Sequence, residues 1–337
     1  MNIVDTLNIY SLRDAWKQIL KKNPAIKPTQ TYEYYCNLFF AFYARLMKVG
    51  RWRMRFYYFT DDNDACIIPI VVNRKRKLIR SVSYYGRLDY DDIISTTQSK
   101  KFLDDCLQEI CKTYPHYVID WCNINEKSIL FSIIEKIVVK QERCVAIQLP
   151  NIYEQYNASL PKHQRQNIRT AYNRLQADNI SFEFQQYDIF NPISRSMWKQ
   201  CEEIYERRHD FSYVNFVRLW YNRVSNPYHH ILTKHLEHEI YVIKSNNIIL
   251  AYMAGLYNEA QKTYYVPRLC INEKYSRYSP GIVLINETIK HLISQGTKVL
   301  DLMLGDETYK TAMGGYIHDN YSLQTTTDEL LTYVHAS

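Results

Sequence analysis

The sequence of 337 residues predicts an α+β protein with mixed β-sheets flanked by helices. Two observations predict this class. Apolar runs typical of strands alternate with helical periods along the whole chain. Each half has the same order, a run of antiparallel strand signals followed by a helix and a strand. Pro150 closes the first half, so we expect one domain at residues 1–150 and a second at 151–337.

The first half begins with two predicted helices, because Pro24 and Pro28 punctuate the gap between two helical periods. Apolar runs bounded by turn residues predict the strands that follow. The polar run from Asn73 to Lys77 is typical of a hairpin tip. Helices are predicted at 10–21, 30–48, 98–113 and 126–139, and strands at 55–60, 65–73, 78–85, 116–122 and 143–149.

The second half repeats this order after a polar link and a basic helix. Asn246 and Asn247 form a good two-residue turn between two strand signals. Helices are predicted at 160–177, 192–209, 213–224, 280–294 and 306–312. Strands are predicted at 181–186, 229–234, 239–244, 248–257, 263–270, 298–304 and 320–326.

Composition favours a cytoplasmic protein, and its basic balance fits either an anionic partner or a slightly basic soluble protein without one. The net charge is +7, and the eight cysteines form no Cys-x-x-Cys pair, so we expect no disulfide framework and no metal. No stretch is long and apolar enough to span a bilayer, and Asp5, Arg13 and Asp14 interrupt any signal-peptide pattern. Four histidines between His229 and His238 are interpreted as the polar face of a hairpin rather than as zinc ligands.

The first site candidate is the loop before the helix predicted at 280–294. Ser279 suits an N-cap, Pro280 suits the first helical position, and Gly281 leaves the first turn without a side chain. Exposed N–H groups and the positive end of the helix dipole can bind phosphate at such a start. Arg277 would add a charged fork. A well-capped helix without a ligand is the alternative interpretation.

The second candidate follows the strand predicted at 298–304. An acid on that strand is followed by a glycine turn and further polar side chains: Asp301, Gly305, Asp306, Glu307, Tyr309 and Lys310. Acids, a phenol and an amine can transfer protons if they converge. Turn capping by the two aspartates and a solvated lysine is the alternative.

Together these segments resemble the CelD-like branch of the GNAT acyltransferases. That branch typically shows a Tyr-Ser-Pro-Gly helix start, here Tyr278 to Gly281, and a later Asp-x-x-x-Gly-x-x-x-Tyr-Lys pattern, here Asp301 to Lys310. Residues 67–70, 85–92 and the start of the basic helix at 160–165 resemble the family more loosely. The resemblance covers most of the chain and implies two tandem GNAT-like domains, as in the related FemABX peptidyltransferases.

The resemblance also implies a donor site in a splayed cleft between two parallel strands, here those predicted at 263–270 and 298–304. An acyl-CoA, with acetyl-CoA as the first choice, would lie along a strand edge and place its pyrophosphate at the next helix start. The donor-binding residues would be Arg268, Arg277, Tyr278, Ser279, Pro280 and Gly281. Classical members carry a glycine where Pro280 stands, so an aminoacyl-tRNA donor, as FemABX relatives use, stays open.

Catalytic roles follow from the same resemblance. The acceptor amine must lose a proton before it attacks the acyl carbonyl, and Asp301 or Glu307 would be the base. Tyr309 would protonate the leaving thiolate. Lys310 would take part in this chemistry or bind a carboxylate or phosphate of the acceptor.

Two further groups are candidates for binding the acceptor. Asp89, Asp91 and Asp92 could hold an amine or sugar hydroxyls, or they could cap a loop. Lys162, Arg165 and Arg169 recur at i, i+3 and i+7 on one helix face and could meet phosphates, or they could form a solvated face.

Three functions therefore stay open. The first is an acyl-CoA-dependent N-acyltransferase that acts on a small-molecule or sugar acceptor, anionic or lipid-linked as a surface-polysaccharide precursor would be. The second is a FemABX-like transferase that uses charged tRNA. The third is a binding protein that kept the fold without the chemistry.

Overall fold

The computed structural model describes residues 1–24, 26–46, 51–86, 89–188, 190–208 and 238–336. They form two compact units. The first holds Met1–Arg143 and the described residues from His318 onward, and the second holds the described residues from Cys144 to Ile317. These units differ from the predicted division at residue 150, because the last described segment of the chain belongs to the first unit.

The strands of the described chain, in chain order, are β1 (Asn2–Thr6), β2 (Trp52–Thr60), β3 (Ala65–Asn73), β4 (Leu78–Arg80), β5 (Ile94–Ser95), β6 (Val118–Asn125), β7 (Val139–Gln148), β8 (Glu183–Tyr187), β9 (His238–Ser245), β10 (Ile248–Asn258), β11 (Thr263–Ile271), β12 (Val299–Leu304) and β13 (Tyr316–Thr326). The helices are α1 (Arg13–Lys22), α2 (Tyr32–Leu46), α3 (Ser83–Gly86), α4 (Lys100–Thr113), α5 (Ile129–Ile134), α6 (Tyr153–Ser159), α7 (Lys162–Ala177), α8 (Arg195–Arg208), α9 (Pro280–Ser294), α10 (Thr308–Ala312) and α11 (Thr327–Ala336).

The first unit is built on a sheet with the strand order β1-β2-β3-β4-β6-β13, and β5 pairs with β3. β3 is buried along most of its length because its sequence is a nearly continuous run of branched apolar residues. α4 presents Phe102, Leu103, Cys106, Leu107 and Ile110 to the same core at helical spacing.

A short parallel pair lies inside this first sheet. β4 and β6 pair over three residues, ending at Arg80 and Asp120. Beyond that point the chain leaves β4, and the segment around Asp91 returns beside β6. The Asp91 N–H donates to the Asn123 carbonyl at 2.8 Å, and Asp91 forms a parallel bridge with Ile124. The chain itself therefore occupies the place next to β6 that β4 has left.

The second unit has the strand order β7-β12-β11-β10-β9-β8. α7 and α9 pack on one face, where Ile168, Leu175, Val283 and Leu292 join the core of this unit. α8 contacts β10 and β11. The Asn246 and Asn247 turn is confirmed, since both residues have positive φ (47° and 65°), as a type I′ hairpin turn requires.

Most predicted elements are present, but some predicted bounds were wrong and some elements were missed. The strand predicted at 78–85 ends at Arg80, and α3 follows. The helix predicted at 126–139 is shorter, because Ser128 caps it by accepting from the Phe131 N–H and a 3₁₀ turn and β7 follow. The polar link predicted before the helix at 160–177 is itself helical and forms α6. β1 and α11 were not predicted.

Some predictions concern residues outside the ranges given above. The helix predicted at 213–224, the strand at 229–234 and three of the four histidines lie outside the described residues. In the part of the chain that is described, no helix has the length and apolar character needed to cross a membrane.

Candidate active site

The second unit contains a parallel strand pair that opens into a gap. β11 and β12 pair over three residues, and the pairing ends at Tyr265 and Asp301. Both strands continue beyond this point, and each stays bound to its other neighbour, with Arg268 opposite Ala254 and Leu304 opposite Cys144. The two strands therefore separate from each other while both remain in the sheet.

The sequence explains why β11 leaves β12. Between Tyr265 and Arg268 the register with β10 shifts, and Pro267, which has no N–H to donate, lies in this irregular stretch. Gly255 faces it on β10, where an added Cβ would lie 2.2 Å from the Tyr265 carbonyl oxygen. Only glycine allows the two backbones to approach this closely.

β12 bends at the same level. Its register with β7 shifts between Asp301 and Leu304, and Met303 takes a left-handed conformation with φ 57°. The buried Asp301 carboxylate accepts the Met303 N–H at 2.8 Å, which holds this bulge. The predicted base therefore lies at the last paired position, where the gap begins.

The helix after β11 begins beside the gap. Ser279 occupies the N-cap position and Pro280 the first helical position, as predicted, but the cap differs in mechanism. Ser279 has φ 52° and ψ 50°, and its side chain makes no capping hydrogen bond. Its N–H closes the preceding 3₁₀ turn on the Ser276 carbonyl at 2.9 Å. Gly281 fits tightly, since an added Cβ would lie 3.1 Å from Ile271.

The loop before this helix is held by the end of α7. The Tyr278 hydroxyl donates to the Asp178 carboxylate at 2.6 Å, and the exposed Arg277 guanidinium contacts both groups. Arg174 donates to the Arg277 carbonyl at 3.0 Å. The guanidinium of Arg277 is therefore paired with the carboxylate of Asp178. Sequence reasoning missed Arg174 and Asp178, because no local pattern links the end of one helix to a loop a hundred residues later.

The turn after β12 is organised by Lys310. Its ammonium group donates to the carbonyls of Leu304 and Gly305 at 2.6 and 3.0 Å and pairs with Glu307 at 2.9 Å. The residue is only 3% exposed, so the alternative of a solvated lysine was wrong. Gly305 has φ 97°, which favours glycine at this turn. Tyr309 packs against the core of the second unit.

The predicted acceptor residues of α7 lie on its surface. Lys162 and Arg169 are exposed, and Arg165 donates to the Ala158 carbonyl at 3.1 Å. The opposite face of the helix is buried through Gln164 and Ile168. The three cations therefore form an outward stripe along the second unit.

The predicted acids of the first unit are bound to backbone and hydroxyl donors. Asp91 accepts from the Ser83 hydroxyl at 2.7 Å, and Asp92 accepts the N–H groups at the start of α5 at 2.9 and 3.0 Å. Burial raises the pKa of each carboxyl to about 6. Asp89 is half-buried, and its carbonyl accepts from Asn320. A cavity of about 10 Å³, room for one water, lies beside Asp91, Asp92, Ser81 and Trp121.

The family comparison points to the same part of the chain. Residues 162–311 match the model of the acetyltransferase (GNAT) domain. This range contains the strand gap, the helix start and the Lys310 turn, and it lies within the second unit. No curated protein matches the chain in sequence.

Solved structures share the fold of nearly the whole chain at low identity. The C-terminal domain of a putative lysylphosphatidylglycerol synthetase from Agrobacterium fabrum is 10% identical, with a TM-score of 0.59 and coverage of 97% of this chain and 96% of that one. FemX is 11% identical, with a TM-score of 0.56 and coverage of 99% and 100%. L-PGS from Bacillus licheniformis is 13% identical, with a TM-score of 0.54 and coverage of 92% and 95%.

These likenesses confirm the predicted mixed α/β fold, and the family model supplies the class. The strand gap beside a Pro-Gly helix start is the geometry expected from the resemblance. The chain therefore carries a GNAT-type acetyltransferase domain at residues 162–311, which makes it an enzyme of the acyltransferase class.

Proposed function

We propose that the protein transfers an acyl group from an acyl-CoA, with acetyl-CoA as the first choice, to an amine of a sugar or related surface-polysaccharide precursor. The observation that carries the proposal is the end of β11–β12 pairing at Tyr265 and Asp301. Strand edges that lose their partner present unpaired backbone groups, which an extended amide-bearing chain such as pantetheine can satisfy.

The pyrophosphate of the donor would lie at the start of α9. The first turn of a helix presents backbone N–H groups without internal partners, and the helix dipole favours negative charge there. Gly281 leaves this turn without a side chain, and the preceding loop carries Lys274 and Arg277 beside one acid, Glu273. A diphosphate matches both features.

In the proposed reaction the acceptor nitrogen attacks the thioester carbonyl carbon. A new C–N bond forms, the C–S bond breaks, and CoA leaves as the thiol. Asp301 or Glu307 would accept the proton that the amine loses, and Tyr309 would supply the proton that the sulfur gains. Lys310 would fix the carbonyls of the turn that carries these groups, since its three donors already have protein acceptors.

The acceptor assignment rests on charge and on the CelD-like resemblance. Lys162, Arg165 and Arg169 form an exposed basic stripe, and the net charge of +7 suits a phosphate-bearing partner such as a nucleotide sugar or a lipid-linked sugar.

A direct test combines CoA binding with CoA release. Wild-type protein should bind CoA and should release it from acetyl-CoA when an amino sugar or its nucleotide conjugate is present. Gly281→Asp should raise the Kd for CoA at least tenfold, because a carboxylate would meet the pyrophosphate. Ser294→Asp places the same charge at the far end of α9 and should leave binding unchanged. Equal binding by both variants would contradict the donor site.

A second candidate is the transfer of an aminoacyl group from charged tRNA, which the resemblance to the FemABX peptidyltransferases implies, and the fold of FemX extends over 99% of this chain. Binding of charged tRNA that weakens steeply with salt, together with no CoA binding, would select this candidate. Tyr309→Phe separates chemistry from binding under either donor. It should lower kcat and leave the donor Kd unchanged.

A further inference from the structure

α8 carries a polar stripe that faces the second sheet. Trp198, Glu202 and Tyr205 lie at i, i+4 and i+7, so they share the face that packs on β10 and β11. The rings of Trp198 and Tyr252 meet edge to face, with centroids 6.5 Å apart. This stripe lies over the part of β11 that borders the strand gap.

Arg268 stands at the centre of this contact. Its side chain is 3% exposed, its Nη1 donates to the Glu202 carboxylate at 2.7 Å, and its guanidinium lies 4.0 Å from the centroid of the Tyr205 ring. A charge pair removed from water is costly unless its remaining polar atoms are also satisfied. The sequence assigned Arg268 to the donor, but the structure places its guanidinium against α8.

Three donors around this pair have no acceptor among the described residues. They are Nη2 of Arg268, the hydroxyl of Tyr252 and Nε1 of Trp198, and all three atoms are buried. Tyr252 is opposite Cys270 on the neighbouring strand, two residues from Arg268, so the two side chains are diagonal neighbours. Buried polar atoms without partners are rare in native proteins, and each one requires an explanation.

The chemistry of these atoms selects the ligand. A guanidinium nitrogen and an indole nitrogen can only donate, and the Tyr252 hydroxyl can also donate. A carboxylate accepts only, has two oxygens, and takes up to about four hydrogen bonds, so it can satisfy three donors at once. An amide of the same shape would bring N–H groups that face other donors.

We propose that Arg268, Tyr252 and Trp198 bind a carboxylate of the substrate. The assignment rests on the proposed acyl transfer, since it places the substrate beside the part of β11 that borders the gap. The carboxylate would come either from a dicarboxylic acyl chain or from an acceptor that carries both an amine and an acid. One carboxylate would accept hydrogen bonds from Nη2 of Arg268, the hydroxyl of Tyr252 and Nε1 of Trp198 together.

The first experiment measures carboxylate binding in the absence of CoA. Propionate, succinate and glycine are titrated against wild-type protein at constant ionic strength, with propionamide, succinamide and glycinamide as matched probes that lack the carboxylate. Tyr252→Phe removes one donor and little else, so it should weaken carboxylate binding at least fivefold. It should also raise the Tm of the protein alone, because a buried hydroxyl without a partner is lost.

Tyr264→Phe is the matched control. Tyr264 is equally buried in the same sheet, but its hydroxyl already donates to the Glu239 carbonyl at 2.8 Å. Its loss should lower the Tm and leave carboxylate binding unchanged. Equal shifts from carboxylates and amides, or unchanged affinity in Tyr252→Phe, would overturn the proposal and leave water as the partner of the three donors.

Turnover identifies the source of the carboxylate. Faster reaction of succinyl-CoA than of acetyl-CoA would place the carboxylate on the acyl chain, whereas preference for glycine over glycinamide would place it on the acceptor. Carboxylate binding without any release of CoA would contradict the proposed acyl transfer and leave the carboxylate site standing, so the two failures are distinct.

Discussion

Lys310 shows how one buried charge can organise the turn after a strand, here the turn after β12. Its three hydrogen-bond donors meet two carbonyls at the end of β12 and the carboxylate of Glu307. The carbonyls of Leu304 and Gly305 are thereby held in the conformation that directs the chain from the strand into α10. The residue belongs to the motif that the resemblance selects, but its contacts favour positioning over proton transfer.

We expect Lys310→Met to destabilise the protein by about 3 kcal/mol, because breaking a buried pair leaves polar atoms without partners. The kcat should fall while the Kd for CoA changes little. Chemical denaturation and steady-state kinetics measure the two effects. Lys136→Met, at an exposed lysine, is the control. A variant of unchanged stability and full activity would show that the turn does not depend on the ammonium group.

The residues of the site were predicted unevenly. Pro280 and Gly281 follow local rules of helix starts, so the sequence located them correctly. The partners of Arg277 and Arg268 lie on α7 and α8, far away in the chain, and no periodicity indicates such contacts. Helix capping is local, whereas ion pairs between elements depend on the packed fold.

Among the elements, the end of α7 determines the conformation of the loop before α9. Arg174 binds the carbonyl of Arg277, and Asp178 takes its guanidinium. Under the proposed function Asp178 would compete with a donor phosphate for Arg277, so the carboxylate should limit the affinity for the donor. The predicted role of Arg277 in donor binding can therefore be tested through its partner.

We expect Asp178→Asn to strengthen CoA binding about threefold, because the freed guanidinium can pair with phosphate, and Arg277→Gln to weaken it by a similar factor. Titration calorimetry at two salt concentrations measures both. Stability should change little, since exposed ion pairs contribute little. Changes of the same sign in the two variants would contradict competition for phosphate.

The predictions of element boundaries were wrong where the sequence contains no strong local signal for the end or the presence of an element. The strand predicted at 78–85 reads as a continuous run, but its pairing with β6 ends at Arg80 and α3 begins at Ser83. β1 was missed because it is a short edge strand whose residues are mostly exposed, so it has no apolar face to reveal it. Central strands such as β3 were predicted correctly, because burial on both faces imposes an apolar run.

For the whole molecule, the buried acids of the first unit couple stability to pH. The pKa values of Asp91 and Asp92 are raised by burial to about 6, above the ordinary value of 3.8 for an aspartate. Between these pH values the folded chain holds more protons than the unfolded chain, so their contribution to stability falls as the pH rises from 4 to 6. Burial lowers the pKa of His318 to about 4, which acts in the opposite direction.

We therefore expect a comparison with Asp91→Asn to isolate the acid. The free energy of unfolding of the variant, relative to wild type, should rise between pH 4 and pH 7 by on the order of 2–3 kcal/mol, because each pKa unit corresponds to ~1.4 kcal/mol. Denaturant titrations across this range measure it. Asp105→Asn, at an exposed site, should show no such trend. A difference that is constant with pH would contradict the burial argument.

The segment beside β6 has a consequence for how much donor one chain can carry. Both units contain a parallel pair that ends after three residues, but in the first unit Asp91 fills the vacated edge with backbone hydrogen bonds. A thioester that entered there would have to displace the segment around Asp91 from the edge of β6. Because this segment is part of the same chain, it returns to β6 more readily than a free ligand can bind there. Under the proposed function, saturation should therefore come at one equivalent of donor per chain.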